Sequence, residues 1–249
     1  MRVILHIGTE KTGTTSIQSF LHDQRIQLFE KGIVVATMVD PAFEKNNFAL
    51  VLASTQDPGN DLLRYRKGSF KEYREKLVSA IRAKCNELSQ DQTLVFSSEH
   101  LSSRLTTESE ILNLRSIFDP DHDFKIVAYV RRQDEMLLGM HAEGIKNGKS
   151  NIDISDFIVS DDRKRYGLIY FDHFMMLSMW ARVFGRDSIQ IAPFESEALS
   201  SGDVVEDFAT RYLSLKDSCL VGKRPYTDNN RLSGESLFIL SKLNELENA

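Results

Sequence analysis

The sequence predicts an α/β fold in three layers, with a mostly parallel central sheet flanked by helices on both faces. Short apolar runs alternate with stretches of helical period along the chain, and that alternation marks strand–helix–strand units. No repeat or low-complexity tract interrupts it, and the 5 prolines and 13 glycines are spread thinly. The 249 residues suit one domain, 1–249, long enough to bury a large core without disulfides or a structural metal.

The elements follow in order. Val3-Ile4-Leu5-His6-Ile7 is an apolar run stopped by Gly8 and reads as a buried strand. A helix starts near Thr14 or Thr15 and runs to about Phe29, with Ile17, Leu21 and Leu28 on one face and Lys31-Gly32 as its stop. Ile33-Val34-Val35 is the second strand. Residues 36–68 carry Pro41, Pro58-Gly59 and Gly68 and read as loops and short helices. Phe70, Tyr73, Leu77, Ala80, Ile81, Cys85 and Leu88 recur at three and four, an amphipathic helix. Thr93–Phe96 and Phe124–Val130 are strands, the first ending in Ser97-Ser98-Glu99-His100 and the second in Arg131-Arg132. A helix spans about Asp134 to Lys146. Residues 147–169 are polar and basic and form a candidate flap. Phe171–Phe184 is helical and passes through Gly185 into a strand over Ser188–Pro193. Val204–Leu213 is helical, and a last helix is capped by Ser233 and buries Leu237, Leu240 and Leu243.

Composition narrows the function. Hydrophobic residues make up 41% and charged residues 27%, with a formal net charge of −5. An acidic chain lacks the basic field that nucleic-acid binding needs, so any anionic ligand requires a local positive site. Cys85 and Cys219 stand apart with no CxxC or Cys/His cluster, which favours reduced thiols and a cytoplasmic location, and no metal site is expected. The apolar run at Val3–Ile7 is far too short for a signal peptide or a membrane span.

The chemistry concentrates at strand ends. Parallel sheets bind ligands outside the carboxyl ends of their strands, and Gly8–Ser16, Ser97–His100 and Arg131-Arg132 all lie at such ends. Gly8 and Gly13 have the GxxxxG spacing of a phosphate loop, which wraps an anion with converging N–H groups and the helix N-terminus. A Walker A loop would continue with Lys and then Ser or Thr. Here Thr14 follows, and the lysine sits inside the loop at Lys11. The strand at 124–130 ends in Arg131 rather than the acid that would hold magnesium. The loop is P-loop-like without the apparatus for a magnesium triphosphate.

His6-Ile7-Gly8-Thr9-Glu10-Lys11-Thr12-Gly13-Thr14-Thr15-Ser16-Ile17-Gln18 resembles the 5′-phosphosulfate loop of the sulfotransferase family, particularly its bacterial members. Lys125–Glu135, with Tyr129-Val130-Arg131-Arg132-Gln133-Asp134, is similar to that family's 3′-phosphate strand and helix start. Ser97-Ser98-Glu99 is similar to its acceptor-side strand end, and Tyr170 through Phe194, with Trp180, Gly185 and Pro193, matches its usual run. The resemblance spans about residues 3 to 245. It implies a sulfotransferase moving a sulfuryl group from 3′-phosphoadenosine 5′-phosphosulfate, the co-substrate, to a hydroxyl or amine of a carbohydrate or other small metabolite, without a metal.

On that resemblance Lys11 stabilises the leaving phosphate, and Thr12, Gly13, Thr14, Thr15 and Ser16 hold the 5′-phosphate by backbone or hydroxyl bonds. Arg131 pairs with the 3′-phosphate, with Arg132 as a weaker candidate. Gly139 stands where the family has a serine on the same phosphate, so a hydroxyl donor is missing there. Lys223, Arg224 or Arg231 are candidates for the family's C-terminal basic loop. The acceptor's proton goes to Glu99 or to His100, Glu99 being favoured. His6 reads as a core histidine, and His141 lies on the helix after Arg131. Arg163-Lys164-Arg165 reads as a solvated face or an electrostatic flap. Met175, Met176, Met179 and Trp180 read as core. The competing readings are a P-loop kinase acting on a small metabolite, which magnesium dependence would reveal, and a catalytically degenerate nucleotide-binding protein.

Overall fold

The computed structural model describes residues 1–38, 48–66, 68–148, 171–215 and 233–247. The candidate flap beyond Gly148, the basic run 163–165, Cys219, Lys223, Arg224 and Arg231 lie outside the described residues. Among the described residues five strands form one sheet, β1 (Arg2–His6), β2 (Ile33–Val35), β3 (Thr93–Ser97), β4 (Asp123–Val130) and β5 (Ile189–Pro193). Their order is β2-β3-β1-β4-β5, and every pairing is parallel. The mostly parallel sheet of the sequence reading is thus wholly parallel here.

Alternation along each strand explains the three layers, because successive side chains point to opposite faces. Val3, Leu5, Val34, Leu94, Phe96, Ile126 and Ala128 join one core. That core is completed by α3 (Phe48–Leu52), α4 (Phe70–Glu87), α5 (His100–Arg104), α6 (Glu108–Arg115) and α8 (His173–Phe184). Ile4, Ile33, Val35, Val95, Val127 and Tyr129 join the other, under α1 (Thr14–Asp23), α2 (Arg25–Glu30) and α9 (Val204–Arg211). A sheet buried on both sides needs such near-continuous apolar strands. Helix α7 (Gln133–Lys146) follows β4 and packs with α10 (Gly234–Glu247), whose Asn244 donates to the Ile145 carbonyl at 2.8 Å.

The structure changes several details. The helix expected over 14–29 is two, broken at Gln24 between α1 and α2. Helices α5 and α6 between β3 and β4 carry too few residues for their period to stand out. The second is fixed by a capping box in which Thr107 and Glu110 satisfy each other's backbone N–H groups. In α10 Leu243 is exposed, and Asn244 occupies the buried position instead. Ser233 does cap that helix, accepting from the Ser236 N–H. Met176, Met179 and Trp180 are core as expected, whereas Met175 faces outward.

The strand order makes β1 the centre of the sheet. The chain leaves β1 for the β2 edge, returns through β3, and then crosses to β4 and β5. Connections therefore depart in opposite directions around the carboxyl end of β1, the place where parallel sheets form a binding crevice.

Candidate active site at the carboxyl ends of the strands

The turn out of β1 is built from left-handed residues. Gly8, Lys11 and Gly13 have φ of 49°, 67° and 75°. Two of the three are glycines, for which that region carries no side-chain penalty. At Gly13 space matters as well, since a Cβ there would stand 2.7 Å from Val204 Cγ1 and 3.3 Å from Phe194 Cε2. The loop is tied down internally: Thr9 Oγ1 donates to the Tyr129 carbonyl at 3.1 Å, and Thr12 Oγ1 donates to the Thr9 carbonyl at 2.6 Å. The Thr12 hydroxyl is thus turned into the loop. Its remaining capacity toward a ligand is its backbone N–H.

Gly13 is the N-cap of α1 and offers no side-chain bond to the helix's first N–H groups. Those groups and the helix dipole, about half a positive charge, favour an anion. Thr14 Oγ1 is buried at the same terminus with no protein partner, 2.8 Å from where a Gly8 Cβ would be. Thr15 is exposed, and Ser16 begins the helical turn with its N–H on the Gly13 carbonyl at 3.0 Å.

Lys11 and Arg131 meet at this loop. The Arg131 guanidinium donates to the Lys11 backbone carbonyl at 3.4 Å and to Glu135 at 2.7 Å, and stands over the Phe194 ring. His173 Nε2 lies 2.8 Å from the Arg131 carbonyl, which fixes the strand end. The Lys11 ammonium pairs with Glu143 at 3.2 Å, and its stem runs across Gly139. Arg132, by contrast, points to solvent and pairs with Asp134.

From β3, Glu99 and His100 approach the same loop. The Glu99 Cα lies 3.7 Å from where a Gly8 Cβ would stand, and Gln18 of α1 donates to its carboxylate at 2.8 Å. Burial pushes the Glu99 carboxyl above its ordinary range. Its own backbone N–H, Gln18, Arg104 and Lys11 oppose this without cancelling it. His100 is 3.8 Å from Glu99 and packs on Phe48. Burial, with help from Arg104, lowers it to about 4, so it is neutral near pH 7. His6 is a core histidine, lowered to about 3 by burial, with Nδ1 2.8 Å from Ser97 Oγ.

Four contributors were assigned no role from the sequence. Arg104 of α5 is largely buried and bonds Asp61 at 2.8 Å and Glu10 of the loop at 3.3 Å. Gln18 orients Glu99, and Glu135 and Glu143 hold the two cations. These are partners across long sequence separations, except that Glu135 and Glu143 sit at multiples of four on one helix after Arg131, a pattern open to reading. Among the described residues no three His, Cys, Asp or Glu side chains gather to hold a metal ion, and no helix is long and apolar enough to cross a membrane. A surface hollow of about 780 Å³ runs along α4 between Phe70 and Asn86 and shares no residue with this crevice.

No protein-family model matches the chain, and no curated protein does. Among solved structures, the chain is similar to a sulfotransferase from Alicyclobacillus acidocaldarius, with a TM-score of 0.50 over 98% of this chain and 94% of that one. The fold is a sulfotransferase fold. Identity between the two chains is 12%, so what they share is architecture. In this sulfotransferase fold the loop after β1, the end of β3 and the end of β4 converge on one crevice, as the strand order requires.

Proposed function

We propose that the protein is a sulfotransferase that uses 3′-phosphoadenosine 5′-phosphosulfate as donor and a hydroxyl or amine of a carbohydrate or other small metabolite as acceptor. The observation that carries this reading is the 3.4 Å bond from the Arg131 guanidinium to the Lys11 backbone carbonyl, which ties the arginine of the β4 end to the loop that wraps the N-terminus of α1. The chemistry of the donor set fits a bisphosphorylated nucleotide. Backbone N–H groups at Gly13–Thr15 and the unpartnered Thr14 hydroxyl suit one phosphate. The guanidinium fork of Arg131 suits a second. The donor supplies the sulfuryl group and a phosphate as leaving group.

The chain's own residues would do the rest. Lys11 places positive charge where negative charge develops on the leaving phosphate, as cations do in phosphoryl transfer. Glu99 accepts the acceptor's proton, because burial makes it a stronger base than an ordinary carboxylate. His100, lowered to about 4, is the weaker base of the pair. Thr14 in the place of a Walker lysine and Arg131 in the place of a magnesium-holding acid argue against a kinase acting on a metabolite.

The test is titration calorimetry with 3′-phosphoadenosine 5′-phosphate against ATP with magnesium, followed by transfer assays over a panel of hydroxylated and amino acceptors. The bisphosphate should bind with micromolar-order affinity, about 8 kcal/mol, and ATP should not compete. Lys11→Ala should lose turnover more than binding, because the lysine's main contribution arises in the transition state. Turnover that vanishes with a chelator would hand the site to the kinase reading. Donor binding with silence across the whole panel would favour a degenerate nucleotide-binding protein.

A further inference from the structure

Helix α7 sets Glu135, Gly139 and Glu143 four residues apart on one face. Each meets one of the two cations of the crevice. Glu135 takes the Arg131 guanidinium at 2.7 Å. A Cβ at Gly139 would stand 3.3 Å from Lys11 Cγ and 3.6 Å from its Cβ, so the lysine stem lies directly on bare helix there. One turn further, Glu143 receives the ammonium at 3.2 Å. The glycine is the track on which the stem lies, and the carboxylate is where it ends.

We propose that Glu143 is a positioning residue, the counter-ion that holds Lys11 and competes with an anionic nucleotide for its ammonium. This rests on reading the loop as a nucleotide-phosphate site. A lysine offers a single charge on a flexible stem, so it can move from one anionic partner to another. The Glu143 side chain is 43% exposed, so water screens the pair and keeps the contact weak enough to exchange for a multiply charged phosphate. Burial by itself would raise the Glu143 carboxyl. Lys11 outweighs it, with smaller help from Asn147 and Lys146, and leaves it below its ordinary range. Among the described residues, those three are the polar groups that act on it. Glu135 stands in the same relation to Arg131, so α7 presents both cations already paired.

Two measurements on the full chain test this. Carboxyl-carbon NMR should find Glu143 titrating below the ordinary 4.5 in the wild type and moving up in Lys11→Met, with no nucleotide present. An unmoved titration removes the contact and the proposal with it. Calorimetry with 3′-phosphoadenosine 5′-phosphate then compares the wild type, Glu143→Gln and Glu87→Gln, the last altering net charge equally at the opposite end of the sheet. Glu143→Gln should bind about two- to fivefold more tightly, the range of an exposed ion pair, and Glu87→Gln should match the wild type. Equal tightening in both variants assigns the effect to net charge and overturns the counter-ion role. Unchanged or weaker binding by Glu143→Gln, beside normal wild-type binding, overturns it too and leaves the nucleotide site standing. Absence of binding in all three chains sinks the nucleotide reading itself, and this proposal falls with it.

Discussion

The Arg131 guanidinium stands 3.4 Å from the backbone carbonyl of Lys11, a residue held at a φ of 67°. One side chain at the end of β4 thereby braces the strained point of the loop after β1 while its Nε donates to Glu135. Arg131→Ala should weaken 3′-phosphoadenosine 5′-phosphate binding by at least about tenfold, since a charge-assisted bond contributes roughly 1.5–3 kcal/mol. Arg131→Lys should recover only part of this, because an ammonium cannot serve carbonyl and phosphate as a fork. Calorimetry on both variants checks it, and full recovery by lysine would refute the bracing role.

Gly13 is the second fixed point. Its φ of 75° is strained for any L side chain, and an added Cβ would press to 2.7 Å on Val204. Gly13→Ala should cost roughly 2–4 kcal/mol, the sum of a left-handed backbone and an overpacked contact. The shift is read from urea midpoints at unchanged m-value. Val204→Ala in the Gly13→Ala background should restore the packing share and leave the backbone share, a coupling that a double-mutant cycle isolates. Additive effects would show that the two residues do not press on one another.

Asp207 reports on the buried face behind the loop. Tyr129 donates to it at 2.6 Å, Arg211 at 2.7 Å and the Ser200 N–H at 3.1 Å. Burial alone would raise this carboxyl, but those three bonds outweigh it and hold it below 3.8. Its contribution to stability is therefore present above the unfolded value near 3.8 and is lost as pH falls through the lower folded one. Asp207→Ala should cost about 2–4 kcal/mol at neutral pH, the lower end reflecting the half-exposed Arg211. The gap between wild type and variant should narrow below pH 3.8 in urea melts taken across pH. A gap that holds constant into acid would place the cost in packing.

Much of this arrangement was legible in the chain because it is local. Val3–Ile7 stopped by Gly8, the period of Phe70–Glu87 and the apolar run ending in Arg131 each announce an element and its end within a few residues. Parallel order then brings three strand ends together with no further information. The partners were not legible. Arg104 finds Glu10 and Asp61 through the packing of α5, and Gln18 reaches Glu99 across 81 residues of chain. Nothing in a hydrophobic period marks such pairs. By resemblance to the family, Gly139 stands for a hydroxyl missing from a phosphate site. What the structure adds is the Lys11 stem lying on it, which makes the missing side chain a spatial requirement as well.

With Glu99 as the proposed base, the pH dependence of turnover follows from its carboxyl. Burial raises its carboxyl above 4.5, and a general base works only when deprotonated, so kcat/KM should climb with pH through a value above 4.5. Were His100 the base, lowered to about 4, the climb would be centred near that value instead. Glu99→Gln should reduce kcat by about 10²–10⁴-fold, the usual share of a positioned base, with a smaller loss in His100→Gln. Gln18→Ala removes a donor that favours the charged carboxylate, so the climb should move to higher pH. Stability runs the opposite way. A raised folded value means Glu99 stabilises the protein below 4.5 and that this is lost as pH rises through the folded value, so Glu99→Gln should melt higher than the wild type at neutral pH. A variant both less active and more stable is the expected signature of a buried carboxylate kept for chemistry. Near-wild-type turnover in Glu99→Gln would move the base elsewhere.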